Sequence, residues 1–245
     1  MSRYFEYLSK AQAQGTTGQL PGALARVIPQ TTYLPEFPGN GEWTQLVGEL
    51  WRRRSAQDEL SIGVFPCGEA EDHGWFAAGL ALSARQTLDR ETLLIDLGSG
   101  HAALASTLRT PARPGLSELL NSSPVARPGC VHETGWSRVY LLPQGGVRNF
   151  DSRETAERLR WLHTAVQRDF PVVITRFPRP NPSGALRDFC NIPKMAVLTV
   201  TPGLSRKSEL RRDSKALRAA GANLIGLVFT GSNLPGARDF NGAIK

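Results

Sequence analysis

Cysteine is scarce in this chain of 245 residues: Cys67, Cys130 and Cys190 lie far apart and form no CxxC pair. An odd, dispersed set argues against a disulfide framework or a zinc site and reads as three reduced packing thiols. His101, His132 and His163 are equally scattered and offer no metal-ligand spacing. No apolar run approaches the roughly 20 residues that a bilayer-crossing helix needs. The opening MSRYFEYLSKAQAQG lacks an apolar core followed by a cleavage site, so a cytoplasmic protein is expected. Neither an internal repeat nor a low-complexity tract is present.

Positive charge, by contrast, is in excess. The net charge of +7 and the isoelectric point near 9.8 favour an acidic partner: nucleic acid, anionic lipid headgroups or an acidic protein face. The basic clusters, Arg52-Arg53-Arg54 and the segment from Arg206 to Lys215, interleave with acids and lack aromatic spacing. They read as solvated helix faces, which makes nucleic acid the least favoured of the three.

The apolar pattern sets the fold class. Short continuous apolar runs at 61–65, 92–95, 139–142, 172–175, 196–200 and 224–229 predict strands buried on both faces. Helical spacing predicts helices over 42–54, 75–87, 152–168, 184–191 and 205–220. A further short helix at 3–14 precedes a Gly/Pro-rich connector reaching Gly41, and PGLSELL at 114–120 predicts a turn feeding a helix. Strands alternating with helices give an α/β protein with a doubly wound, mostly parallel sheet. The expected divisions are an N-terminal helix and connector over 1–41, one domain over 42–232 and a short tail over 233–245.

The stretch SIGVFPCGEAEDHGWFAAGLA at 61–81 has the strand, loop and small-residue helix of a phosphate-binding loop. Around it, LLIDLGSG at 93–100, PGLSELL at 114–120, YLLPQGG at 140–146, FPVVITRFP at 170–178 and GANLIGLVFTG at 221–231 follow in order. Together these segments resemble the bacterial polysaccharide-export tyrosine kinases (the BY-kinases, CpsD/CapB-like) within the MinD/ParA-like deviant P-loop ATPases. The resemblance runs from about Glu42 to Thr230 and implies a P-loop NTPase-like fold.

Where that family has GEGKST, this chain has Ala70-Glu71-Asp72-His73-Gly74-Trp75. The phosphate-gripping lysine is thus His73, the serine is Gly74 and the magnesium-binding threonine is Trp75, whose indole would crowd the phosphate and metal positions. Glu69, Glu71 and Asp72 place carboxylates where a helix N-terminus would otherwise attract a polyanion. Asp96 is kept, but the next aspartate of that motif is Gly98. The third motif's aspartate is Thr175, followed by Arg176, and the adenine-side asparagine is Thr230. The C-terminal GSNLPGARDFNGAIK carries no tyrosine, and Glu42 is followed by Gln45 and Gly48 where the ring-forming helix has arginines.

The vestigial nucleotide positions are therefore Gly68, Glu71, Asp72, His73, Gly74, Trp75, Asp96, Gly98, Thr175 and Thr230. No catalytic residue, metal site or cofactor is expected. The acids beside His73 read as helix caps, and Ser99 in Gly98-Ser99-Gly100 has no identifiable acid or base partner. Trp75, Arg176 and Arg179 are candidate partner contacts. The resemblance implies a pseudo-ATPase or pseudokinase that serves as scaffold or regulator in exopolysaccharide or cellulose synthesis and export. Its partner would be a membrane-embedded co-polymerase or synthase, its location the cytoplasm or the inner face of the membrane, and a homodimer is compatible with the fold. Two other readings stay open: an active kinase or ATPase with a non-standard phosphate loop, and a MinD/ParA-like positioning protein on membrane or DNA.

Overall fold

The computed structural model describes residues 26–27, 41–54, 59–68, 74–98, 104–121, 129–146, 153–180, 189–201 and 203–230. The helix expected over 3–14 and the tail over 233–245 lie outside them. So does most of the helix expected over 184–191, of which residues 189–191 form a turn.

The chain order is β1 (Arg26–Val27), α1 (Gly41–Arg52), β2 (Leu60–Pro66), α2 (Gly74–Leu88), β3 (Thr92–Asp96), α3 (Leu104–Thr107), α4 (Leu116–Asn121), β4 (Val131–Glu133), β5 (Val139–Leu142), α5 (Arg153–Val166), β6 (Val172–Arg176), β7 (Met195–Val200), α6 (Lys207–Ala219) and β8 (Leu224–Phe229). One sheet holds all eight strands in the order β1-β4-β5-β3-β6-β2-β7-β8. The six predicted strands run parallel; β4 is antiparallel to β5, and β1 follows β4. Part of the expected connector, Arg26–Val27, thus joins the sheet edge rather than standing apart from it.

Alternation along the strands divides the core in two. Leu60, Ile62 and Val64 of β2 join Leu94 of β3 and Ile174 of β6 under α1, α2 and α3. Phe65, Leu93, Ile95 and Val173 face the opposite way, toward Leu159 and Leu162 of α5 and Leu217 of α6. Each such fully buried side chain contributes about 1.5–3 kcal/mol, which is why strands covered on both faces carry continuous apolar runs. The sequence LIGLVF of β8 looks the same but is a sheet edge, half-buried over Leu224–Val228 and exposed at Phe229. An apolar run alone does not distinguish an edge from a centre.

Helix α2 is buried at Gly74, Phe76, Ala77, Ala78, Gly79, Leu80, Ala81, Ser83 and Ala84. Its small residues suit a close seat between the sheet and α1, and Trp43 of α1 meets Phe76 with ring centroids 5.3 Å apart. Because β6 lies between β2 and β3, the chain must cross over it through α2. The carboxyl ends of β2, β3 and β6 at this crossover mark the place where open α/β sheets form their ligand-binding crevice.

Candidate functional site

Asp96 ends β3 at this crevice and is fully buried. Its Oδ1 accepts the Gly98 N–H at 3.0 Å, and its Oδ2 accepts the Leu104 N–H, the first residue of α3, at 2.8 Å. Arg176, its register partner on β6, donates from Nη1 to the same Oδ1 at 3.0 Å. A buried charge needs a partner, and here the carboxylate has a guanidinium and two backbone donors. A divalent cation at Asp96 would meet the like charge of the Arg176 guanidinium.

Gly98 makes room for this arrangement. A Cβ built there would overlap Nη1 of Arg176 and fall 2.5 Å from Cζ and 3.0 Å from Nε. The guanidinium therefore lies where the side chain of any other residue at 98 would begin. Arg176 does not project from the strand edge toward a partner, as the sequence suggested; it is buried with the core. Its neighbour Thr175 faces the other side of the sheet, buried, its hydroxyl without a hydrogen-bond partner.

The loop after β2 is held in a related way. Gly68, at φ +73°, donates its N–H to Oδ2 of Asp213 on α6 at 3.0 Å. Arg179 bridges that helix, donating to Oε1 of Glu209 at 3.2 Å and lying 3.6 Å from Oδ2 of Asp213. Burial pushes the Asp213 carboxyl up, partly offset by the Gly68 N–H and the Arg179 charge. Glu209 is held below the ordinary carboxylate range by the Arg206 N–H and by Arg179. Arg179 is accordingly paired within the molecule while its side chain stays 26% exposed. Ser205 adds another tie, donating to the Cys67 carbonyl at 3.2 Å.

Of the remaining expected positions, Gly74 and Trp75 open α2, with Gly74 buried and Trp75 42 % exposed. Thr230 follows β8 and its hydroxyl meets that of Thr201 at 3.0 Å. Glu71, Asp72 and His73, together with Glu69, Ser99 and His101, lie outside the described residues. Among the described residues no group of three His, Cys, Asp or Glu side chains could hold a metal ion, and all three cysteines are buried and free.

Sequence reasoning did not foresee that PGLSELL and YLLPQGG form one knot. Glu118 accepts the Gly115 N–H at 2.8 Å and the Gly146 N–H at 3.0 Å, and Ser117 donates to the Gln144 carbonyl. Burial alone would raise the Glu118 carboxyl, but the backbone donors outweigh it and hold the group below its ordinary value. The glycines are needed: a Cβ at Gly115 would meet the Gly145 nitrogen at 2.6 Å. Two glycine-bearing turns flanking one acid were the available signal.

No family model and no curated protein matches the sequence. Solved structures do. The chimerical protein CapA2B2 is similar at a TM-score of 0.65 and 18% identity, over 90% of this chain and 97% of that one. The kinase domain of the Escherichia coli tyrosine kinase ETK gives 0.64 and 20%, over 77% and 75%. The septum site-determining protein MinD of Pyrococcus horikoshii OT3, solved with Mg-ADP, gives 0.54 and 18%, over 69% and 68%. The chain therefore has the fold shared by bacterial tyrosine-kinase domains and the MinD and ParA ATPases. The resemblance drawn from the motifs holds at the level of fold, and no helix among the described residues is long and apolar enough to cross a membrane.

Proposed function

We propose that this chain is a nucleotide-independent relative of the polysaccharide-export kinases, acting as a scaffold or regulator of polysaccharide synthesis and export. One observation carries the reading: Asp96, the acid retained from the metal-organising motif, is closed by Arg176, whose guanidinium occupies the side of Gly98. An arginine already seated on this acid supplies the positive charge that a metal ion would bring. The Gly68 N–H is likewise taken by the protein's own Asp213. The residues present do not fit magnesium nucleotide, and no phosphoryl-transfer step is assigned to them.

The fold's other members supply the context. Structures similar to this one include tyrosine-kinase domains, and a closed crevice in such a domain leaves its outer surfaces as the working parts. The partner that suits it is a membrane-embedded polysaccharide co-polymerase or synthase. Calorimetric titration of the purified chain with ATP and magnesium tests the reading: no heat at millimolar nucleotide is expected. A saturable isotherm lost on Arg176→Ala or Asp96→Ala would overturn it. Capture of a polysaccharide synthase or co-polymerase from the source cell, with altered polysaccharide output on deletion, is the corresponding expectation for the role.

A further inference from the structure

The acids and bases of α6 interleave in the sequence KSELRRDSKALRA, yet the fold separates most of them: of its five basic residues only Arg212 pairs with an acid of the helix, Asp213, at 3.1 Å. Glu209 and Asp213 turn toward the body of the protein, where Arg179 and backbone N–H groups satisfy them. Lys207, Arg211, Lys215 and Arg218 are all exposed. At 100° per residue they fall within an arc of roughly 80° and extend along about 17 Å of helix. Among the described residues none of these four forms a salt bridge, in contrast to Arg52 and Arg53, which pair with Glu49 on α1.

Leu204 sits in the turn that leads into this helix, 66% exposed, with its N–H bonded to the Thr201 carbonyl. Thr201 in turn contacts Thr230, so the exposed end of β8 at Phe229 adjoins the same turn. Unneutralised cations in a row, with a large apolar side chain at one end, match a layer of phosphate headgroups above acyl chains. Nucleic acid would use the cations but gives an exposed leucine nothing to bury in.

We infer that the stripe Lys207, Arg211, Lys215 and Arg218, with Leu204 at its leading turn, is a docking surface for an anionic lipid membrane. The inference is independent of the nucleotide reading, because α6 presents this face whether or not the crevice binds a ligand.

The test is co-sedimentation of the full chain with phosphatidylcholine vesicles containing about one-third phosphatidylglycerol, against phosphatidylcholine alone. Binding is expected only to the anionic vesicles and should fall steeply between about 0.1 and 1 M salt, where the screening length shrinks from about 10 to 3 Å. Arg211→Gln with Lys215→Gln should lower partitioning about 25-fold, since each cation near such a surface is worth roughly fivefold. Arg52→Gln with Arg53→Gln, removing the paired cations of α1, should leave binding within about twofold. Leu204→Ser should weaken vesicle binding and leave any binding to duplex DNA unchanged. Equal binding to neutral and anionic vesicles, no binding to either, or anionic binding that survives the α6 double substitution in a normally folded protein would overturn the inference. So would DNA binding tighter than vesicle binding and indifferent to Leu204.

Discussion

The guanidinium of Arg176 rests against the backbone of Gly98 and bonds Asp96 at 3.0 Å, so the identity of residue 98 and that of residue 176 are coupled through space. Neither choice makes sense alone. A residue with a side chain at 98 would evict the arginine, and without the arginine the acid would lose its charged partner.

This coupling is measurable. Gly98→Ala should destabilise the protein by about 1–3 kcal/mol, because the new methyl meets a buried, ion-paired group rather than the free end of a flexible side chain. In an Arg176→Ala background the same substitution should cost well under 1 kcal/mol, giving a coupling of about 1 kcal/mol or more in a double-mutant cycle by urea unfolding. Strict additivity would show that the guanidinium does not occupy this place.

Asp96 carries more than the ion pair, since it also accepts the N–H groups of Gly98 and Leu104. Asp96→Ala leaves a buried arginine and two donors uncompensated and should cost about 3–5 kcal/mol. Arg176→Met should cost less, because the acid keeps both backbone donors while the methionine refills part of the volume. Urea midpoints of the two variants decide the order, and a larger loss for Arg176→Met would refute this account of Asp96.

How much of this was legible beforehand follows from chemistry at each position. The six parallel strands were visible because burial on both faces demands continuous apolar runs such as VVIT at 172–175 and LLI at 93–95. Strands β1 and β4, of two and three residues, are too short to leave a periodic trace. The departures from the nucleotide motifs were readable residue by residue, but the contacts that stand in their place were not. That Arg176 turns inward depends on a contact across 80 residues of sequence. The inward turn of Glu209 and Asp213 was within reach, because they lie four apart on the helix face that also carries Leu217. Reading the segment as a linear mixture of charges hid that separation.

On the inner face of α5, His163 lies buried with its Nε2 3.0 Å from the Ser61 hydroxyl, whose oxygen also accepts the Lys194 N–H. Burial, reinforced by the Lys194 charge, pushes this imidazole down from 6.5 to about 4. Above pH 6.5 it is neutral in both folded and unfolded chains and contributes nothing to the pH dependence. Between 6.5 and 4 the unfolded chain takes up a proton that the folded chain excludes, so stability is lost as the pH falls through this window. The full loss is about 3 kcal/mol, from a shift of this size. His163→Gln retains hydrogen-bonding capacity toward Ser61 but cannot titrate, so it should remove this contribution while leaving that of the carboxylates. Urea unfolding of both proteins at about pH 7.5 and about pH 4 provides the comparison, with the unaltered protein expected to lose about 3 kcal/mol more than the variant. Parallel losses would show that His163 accepts its proton as readily in the folded state as in water and would refute this account.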